Sequence, residues 1–314
     1  MASNSNTRRI CLSVDLDPLS AYHRIHGLEP PTEPAASRLV QIGWTRFLEL
    51  AESLQIPATF FVVGRTLEED VYHTAQQAVL AGHELANHTW NHGYDFLSLD
   101  HKEMEREIVN CEEALESLTG KKTSGFRSPG YGASTTLFKI LETRGYRYDS
   151  SLLPSFPYYL AKSAVMLLMK AHARKSGARL HDPRTSMGPL QPYPANPTHP
   201  FLRGTGSSEK LWEMPIAVAP IIRIPIIGTS ITLAAKPFSW IPSRLASMLK
   251  VVVFECHAID LVDDKEFPGE LSKKQPDLRI PWALKRKRIS CFLSKLSKTH
   301  DFGTLESIVP REAP

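Results

Sequence analysis

The chain has 314 residues, of which 42% are hydrophobic, and its formal net charge of +4 is small for its length. So weak a charge does not indicate a nucleic-acid-binding protein. No segment reaches the roughly 18 to 20 continuous apolar residues of a membrane span. The polar stretch 1–9 predicts no secretory signal, and the four scattered cysteines favour free thiols over a disulfide framework or a cysteine-bound zinc. We therefore expect a cytoplasmic protein with a substantial hydrophobic core.

The first half of the chain alternates strand and helix patterns. The run 58–63 is rich in β-branched and aromatic residues, whereas 38–54 has helical periodicity. The predicted elements are strands at 10–14, 58–63, 83–86, 124–127 and 146–149, separated by helices at 38–54, 71–81, 99–118 and 137–144. This alternation predicts a parallel α/β sheet or barrel, with polar site residues at the carboxyl ends of the strands.

The alternation of strand and helix patterns stops in the second half of the chain. A proline-rich region contains an almost wholly apolar helix pattern at 158–171, and regularity returns with a strand at 251–256, a helix at 281–296 and a closing element at 303–309. We predict a single domain over residues 1–314. Its core comprises 9–150 and 236–310, and 151–235 forms a long insertion, after the strand that ends at Asp149, over the barrel mouth.

Two histidines four residues apart, His88 and His92, follow the third predicted strand. On a helix or helical turn, residues at this spacing share one face, so both imidazoles can reach one ion. An aspartate from elsewhere would complete three ligands. Two imidazoles and one carboxylate leave a coordination position open, which is typical of a catalytic metal site. The Fe(II) oxygenases also use this ligand set, but on a β fold that the alternation of strands and helices contradicts.

Several motifs in order along the chain resemble those of the NodB-homology polysaccharide deacetylases, carbohydrate esterase family 4. They are Ser13-Val14-Asp15-Leu16-Asp17, Asn87-His88-Thr89-Trp90-Asn91-His92, Arg127-Ser128-Pro129-Gly130-Tyr131-Gly132, Asp149 and His257. The resemblance covers about residues 9–150 and 250–310. It implies a distorted (β/α) barrel of the NodB type and a metal-dependent hydrolase that removes an N-acetyl or N-formyl group from an aminosugar.

The resemblance also implies a role for each motif residue. Asp17, His88 and His92 would hold one divalent metal ion, with zinc as the first choice and cobalt, nickel or iron as alternatives. Asp15 would be the general base. Arg127 would hold Asp15 ionised. A backbone N–H near Gly130 or Tyr131 would stabilise the oxyanion, and His257 would be a general acid oriented by Asp149.

The first motif departs from the commonest family form, because Leu16 separates its two acids. This Asp-x-Asp form resembles a branch that acts on lipid-linked aminosugars, peptidoglycan-related substrates or small cyclic amides. We expect a lipid-linked or glycolipid substrate at the inner membrane face. The alternatives are a soluble polysaccharide or oligosaccharide deacetylase, a cyclic-amide hydrolase and, less favoured, a catalytically inactive binding module.

Two basic regions suggest peripheral contact with an anionic membrane. The first is the apolar helix pattern at 158–171, whose apolar stripe is bordered by Lys162, Lys170, Arg174 and Lys175, as in interfacial helices. The second is the Lys-Arg-Lys-Arg run at 285–288, which could meet phospholipid or a carrier phosphate. The helix is equally compatible with packing as core under the insertion, and such a basic run is more often a solvated face.

Overall fold

The computed structural model describes residues 7–31, 35–171, 179–180, 182–196, 198–204, 211–234 and 238–310. Arg174 and Lys175 lie outside these residues. The strands are β1 (Arg9–Asp15), β2 (Ala58–Val62), β3 (Glu84–Asn87), β4 (Gly125–Phe126), β5 (Tyr148–Asp149), β6 (Tyr193–Asn196), β7 (His199–Arg203), β8 (Trp212–Glu213), β9 (Val251–His257) and β10 (Asp301–Phe302). The helices are α1 (Leu19–Ile25), α2 (Ala35–Leu54), α3 (Glu69–Leu80), α4 (His101–Thr119), α5 (Thr135–Arg144), α6 (Phe156–Ala171), α7 (Gly228–Leu233), α8 (Ile241–Ala246), α9 (Glu270–Lys274), α10 (Trp282–Leu296) and α11 (Leu305–Ile308).

The sheet is parallel through β9, β1, β2, β3, β4, β5 and β8, in that spatial order, and β6 and β7 extend it as an antiparallel hairpin. β1 and β2 are almost completely buried, as expected of parallel strands covered on both faces. The register pairs Asp15 with His257 and with Phe61 on the two neighbouring strands. This curled sheet with its surrounding helices confirms the predicted distorted (β/α) barrel.

Part of the predicted insertion belongs to the barrel wall. The N–H of Met214 donates to the carbonyl of Asp149 at 2.8 Å, and the N–H of Ala217 donates to the carbonyl of Val253 at 2.9 Å. The backbone after β8 therefore bridges the two edges of the sheet, whose N–H and C=O groups would otherwise lack partners. Sequence analysis placed all of 151–235 over the mouth, and the structure corrects this for β8 and the residues that follow it. The single-domain boundary stays a prediction.

α2 packs its apolar face on the outside of the barrel through Leu39, Val40, Trp44 and Phe47, all fully buried. Gly43 lies on the same helix, and a Cβ at this position would come within 2.4 Å of the carbonyl oxygen of Ala258. Glycine thus lets α2 approach the turn that follows His257. The packing of α2 thereby helps to fix one wall of the site.

The basic run at 285–288 is largely engaged within the protein. Lys285 is fully buried and its amine donates to the carbonyl of Ile259 at 3.1 Å. Arg288 donates to the carbonyl of Thr232, and Arg286 lies 3.8 Å from Glu49. The predicted contact of Lys285 with phospholipid is therefore wrong. None of the described helices is long and apolar enough to cross a membrane.

Candidate active site

A cavity of about 460 Å³ opens at the carboxyl ends of β1, β3 and β9. Its walls include seven of the nine predicted site residues, namely Asp15, Asp17, His88, His92, Gly130, Tyr131 and His257. Arg127 is buried and contacts Asp15, whereas Asp149 is buried among other partners. The parallel sheet therefore gathers residues from distant parts of the chain at one end of the barrel, as strand polarity predicts.

Three of these side chains converge in a way that suits a divalent metal. Asp17 Oδ1 lies 3.3 Å from His88 Nε2 and 3.1 Å from His92 Nε2, and all three residues are buried. This oxygen has no hydrogen-bond partner among the described residues. His88 Nδ1 donates to the carbonyl of Arg127 at 2.7 Å, which leaves its Nε2 lone pair directed to Asp17 and the cavity. A buried carboxylate oxygen facing two imidazole nitrogens fits the ligand set of a catalytic metal.

The electrostatics of Asp17 are those of an ionised ligand. Burial alone would raise the pKa of its carboxyl group, but the neighbouring His92 and His88 hold that pKa well below its usual range. The group therefore carries its charge over the whole neutral range even without a metal. A ligand that is already ionised has no proton to lose when a cation binds.

The His88–His92 segment is a loop rather than the helix or helical turn that the spacing suggested. Thr89 and His92 have φ values of 66° and 53°, in the left-handed region, and the N–H of His92 donates to Thr89 Oγ1 at 3.0 Å. Asn87 Oδ1 in turn accepts from the N–H of Thr89 at 2.9 Å. Backbone strain of this kind is concentrated at functional sites. Side-chain caps and left-handed residues thus bring the two imidazoles together.

Arg127 fixes the orientation of Asp15. Its Nη1 donates to Asp15 Oδ1, and its Nη2 donates to Ser13 Oγ at 3.1 Å and to Ser150 Oγ at 2.9 Å. The guanidinium is fully buried and lies 4.0 Å from the ring centroid of Phe61. The second carboxylate oxygen of Asp15 then points to the cavity. Ser13, Phe61 and Ser150 are supporting residues that sequence analysis missed.

His257 stands across the cavity from the histidine pair. Its Nε2 lies 3.9 Å from Asp15 Oδ2, and its backbone N–H donates to Asp260 Oδ2 at 2.9 Å. Burial lowers the pKa of His257, but the carboxylates of Glu255, Asp17 and Asp15 outweigh that effect and raise it to about 9. The raised pKa favours the protonated imidazole, which is the state that a general acid requires.

The predicted contact between Asp149 and His257 is not present in the described structure. Asp149 accepts hydrogen bonds from the hydroxyl of Ser151 at 2.7 Å and from its N–H at 3.2 Å. Its carboxyl group also interacts with the carboxyl group of Glu213 through a side-chain hydrogen bond. Asp149 lies on β5, where its neighbour in the register is Glu213 of β8. Asp149 thus anchors the turn after β5, which corrects the prediction that it orients His257.

Glu255 occupies the position beside His257 that was predicted for Asp149. Its Oε2 accepts from the hydroxyl of Tyr131 at 2.9 Å, and its Oε1 lies 3.9 Å from Arg127 Nη1 without any hydrogen bond. Burial raises the pKa of Glu255 to about 7, although His257 opposes the shift. Residues i and i+2 of a strand point to the same face, so the position of His257 on β9 could have identified Glu255 from the sequence.

The loop after β4 places free backbone donors at the cavity. Gly130 and Tyr131 have φ values of 77° and 70°. Among the described residues, their N–H groups donate to no protein acceptor, whereas the N–H of Ser128 is occupied by Ser151 Oγ at 2.8 Å. The Tyr131 hydroxyl bond to Glu255 holds this strained conformation. Such free donors are what an oxyanion site needs.

One wall of the cavity is the inner face of α6. The residues of this face repeat at helical spacing, and they are Tyr158, Ala161, Lys162, Val165, Met166 and Met169. The outer face is also apolar, with Leu160 52% and Leu167 68% exposed. α6 is therefore apolar on both sides and encloses the site like a lid.

Residues 40–148 match a family model described as polysaccharide deacetylase. A peptidoglycan deacetylase of Helicobacter pylori is 27% identical over 155 residues, which cover 48% of this chain and 52% of the relative. A peptidoglycan-N-acetylglucosamine deacetylase of Bacillus cereus is 33% identical over 100 residues, covering 32% and 46%. The chain thus spans about half the length of the curated relatives it matches.

Two solved structures share the fold over nearly the whole chain. A candidate polysaccharide deacetylase from Mycobacterium smegmatis superposes with a TM-score of 0.60 at 16% identity, covering 98% of this chain and 91% of that one. Puue allantoinase superposes with a TM-score of 0.57 at 15% identity, covering 98% and 90%. At this level of identity the likeness concerns the fold alone.

Proposed function

We propose that this chain, a member of the NodB-homology polysaccharide deacetylase family, is a metal-dependent hydrolase that removes an N-acyl group, acetyl or formyl, from an aminosugar. One observation carries the proposal. The unpartnered Asp17 Oδ1 faces two imidazole nitrogens, and the free oxygen of Asp15 lies 3.8 Å from one of those same nitrogens. A metal-ligand set and a separate carboxylate base therefore meet at one point, as hydrolysis of an amide requires.

Asp17, His88 and His92 would hold the metal, which when bound polarises the amide carbonyl and lowers the pKa of a water molecule at the site. Zinc is our first choice, and cobalt, nickel and iron tolerate the same ligands. Asp15 Oδ2 receives the proton of the attacking water. Arg127 donates a hydrogen bond to the other oxygen of Asp15, so the base cannot rotate away from the cavity.

His257 supplies the proton that the leaving amine needs. Its Nε2 lies 3.9 Å from the same Asp15 Oδ2 that lies 3.8 Å from His88 Nε2, so base and acid border the same space. The N–H groups of Gly130 and Tyr131 are available to the oxyanion that forms on the carbonyl. Glu255 acts through its neighbours, because it holds Tyr131 by a hydrogen bond and keeps His257 charged.

A lipid-linked or glycolipid substrate is supported by exposed apolar side chains in the region that includes α6. Of 16 large hydrophobic side chains that are exposed in the described residues, 12 belong to 151–235. Exposed apolar surface concentrated in one region marks an interaction site. The inner face of α6 would contact the part of the lipid chain nearest the sugar, and its outer face would contact other lipids.

Charge supports contact with an anionic membrane. Residues 151–235 contain nine Lys and Arg against three Asp and Glu, whereas the rest of the chain is slightly acidic. We propose that this region lies on the inner, cytoplasmic face of a membrane, where anionic lipids attract basic residues. The absence of disulfides among the four cysteines is compatible with a reducing compartment. We also propose that 1–314 act as one domain, since the site uses residues from β1 to β9.

The experiment is acyl release from a bacterial lipid extract in mild detergent, with acetate and formate quantified separately. Zinc-loaded protein should release one of them, and Asp15→Asn should release neither while still binding metal. Chito-oligomers serve as the soluble parallel substrate. Release only from the oligomers would refute the lipid-linked substrate, and release from neither would refute the N-deacylase.

A further inference from the structure

Lys162 is a cation within the apolar wall of the active-site cavity. It lies on the inner face of α6, and its Nζ is 3.5 Å from the carbonyl oxygen of Gly130. Its neighbours on that face are Ala161, Val165 and Met166. No ion pair of Lys162 exists within the part of the chain that the structure describes. The sequence suggested a basic edge directed to a membrane, whereas the structure turns the amine inward.

This arrangement has an energetic cost that a ligand would offset. An ammonium group that is partly removed from water, like that of the half-buried Lys162, needs a compensating charge or strong hydrogen bonds. A single long bond to a carbonyl oxygen provides little of either, and burial lowers the pKa of Lys162 to about 8. Lysines normally keep the amine in water and bury only the stem. An inward amine without an acidic partner is therefore suited to an anion that arrives with the substrate.

We propose that Lys162 binds an anionic substituent of the substrate, a phosphate or a carboxylate, while the amide of the same molecule lies over Asp15. Lys162 and Asp15 line the same cavity of about 460 Å³. This volume holds a sugar with one substituent and the first part of an attached chain. The inference rests on the proposed function and narrows its substrate to an anionic aminosugar. Phosphate fits a carrier-linked or nucleotide-type sugar, and carboxylate fits an acidic sugar.

The position of Lys162 also implies that the anion would bind close to the reacting amide. Lys162 contacts Gly130, whose neighbour Tyr131 is bonded to Glu255. The anion would thus sit beside the loop that offers donors to the oxyanion. α6 would be held down by the same contact, so binding of the anion and closure of the lid support each other.

The test measures dissociation constants by calorimetry, so it does not depend on turnover. The probes are N-acetylglucosamine, N-acetylglucosamine 1-phosphate and N-acetylmuramic acid, which differ in having no anion, a phosphate or a carboxylate. Wild-type protein should bind one of the anionic probes at least about tenfold more tightly than the neutral one, since hydrogen bonds to charged groups contribute about 1.5–3 kcal/mol. The favoured anionic probe identifies the source of the charge.

Variants assign that preference to Lys162. Lys162→Met should abolish the preference, Lys162→Arg should retain most of it, and Lys287→Met, an exposed lysine of α10, is the matched control that should leave it intact. The inference is overturned if wild type binds no anionic probe better than the neutral sugar, or if Lys162→Met keeps the preference. Acyl release from the same probes, measured separately, tests the proposed function, so the two can fail independently.

Discussion

Replacing Glu213 should destabilise the fold without changing the chemistry of His257. Glu213 is fully buried, its Oε1 accepts from the N–H of Leu152 at 3.1 Å, and its carboxyl group contacts that of Asp149. Alanine would leave that N–H without a partner and would remove the Glu213 contact from Asp149, whose carboxylate keeps its two hydrogen bonds from Ser151. At about 1–3 kcal/mol for one buried unsatisfied group, the loss is roughly 1–3 kcal/mol. For a chain of this size, about 2 kcal/mol corresponds to a fall of roughly 3 °C in Tm, because the entropy of unfolding is about 2.1 cal/mol/K per residue.

Glutamine at the same position should behave differently, because its amide keeps the shape of the side chain and has an N–H donor in place of the carboxyl proton. Burial, reinforced by Asp149, raises the pKa of Glu213 well above its usual range. Between the unfolded and folded pKa values the folded protein binds more protons than the unfolded one, so stability falls as pH rises, by at most about 1.4 kcal/mol per pH unit for one proton. Glu213→Gln cannot lose a proton, and its stability should therefore depend less steeply on pH in this window.

The assay is thermal unfolding of wild type, Glu213→Ala and Glu213→Gln from pH 5 to pH 8. Metal-free protein is used for all three, so that metal binding does not contribute to the pH dependence. A Glu213→Ala variant as stable as wild type, or a Glu213→Gln variant with an unchanged slope, would refute the structural role assigned to the pair with Asp149. An altered alkaline limb of the pH–rate profile in Asp149→Asn would support the original prediction that Asp149 orients His257.

Three further outcomes follow from the site and the lid. His92→Ala should lose most of its metal affinity because one of three ligands is gone, and Zn²⁺ titration calorimetry measures the loss; unchanged affinity would exclude His92 as a ligand. Glu255→Gln should lower the pKa of His257, because the carboxylate that raises it is gone, and should move the alkaline limb of kcat/KM to lower pH; an unmoved limb would contradict the coupling. The double variant Leu160→Glu, Leu167→Glu on the outer face of α6 should reduce flotation with anionic liposomes, whereas equal flotation would rule out membrane contact through α6.

Much of the catalytic end of the barrel could be predicted, because the order of the motifs and the strands that precede them can be identified from the residue pattern. The acid pair at the end of β1, the histidine pair after β3 and His257 at the end of β9 are each preceded by a clear strand pattern. Parallel strands bring such ends together whatever the loops between them do. The residues of those motifs therefore met as expected, although their catalytic roles stay predictions.

The supporting contacts were harder to predict, since they depend on which strands become neighbours. Asp149 was expected beside His257, yet Glu255 stands there, because alternation on β9 carries it to the same face. Glu213 lies in a proline-rich region with no periodic pattern, and only the three-dimensional structure pairs it with Asp149. The side chain of Lys162 was expected to face a membrane, but it lines the active-site cavity. Helical spacing defines faces, but it does not say which face meets the cavity.

One paired measurement decides between the proposed mechanism and its rivals. Metal-free wild type and Asp15→Asn are each titrated with Zn²⁺ by calorimetry, and acyl release from the lipid extract is then measured on the same samples. The mechanism predicts that both proteins bind one equivalent of metal and that only wild type releases acetate or formate. It is contradicted if wild type binds no metal, or if Asp15→Asn releases the acyl group as fast as wild type.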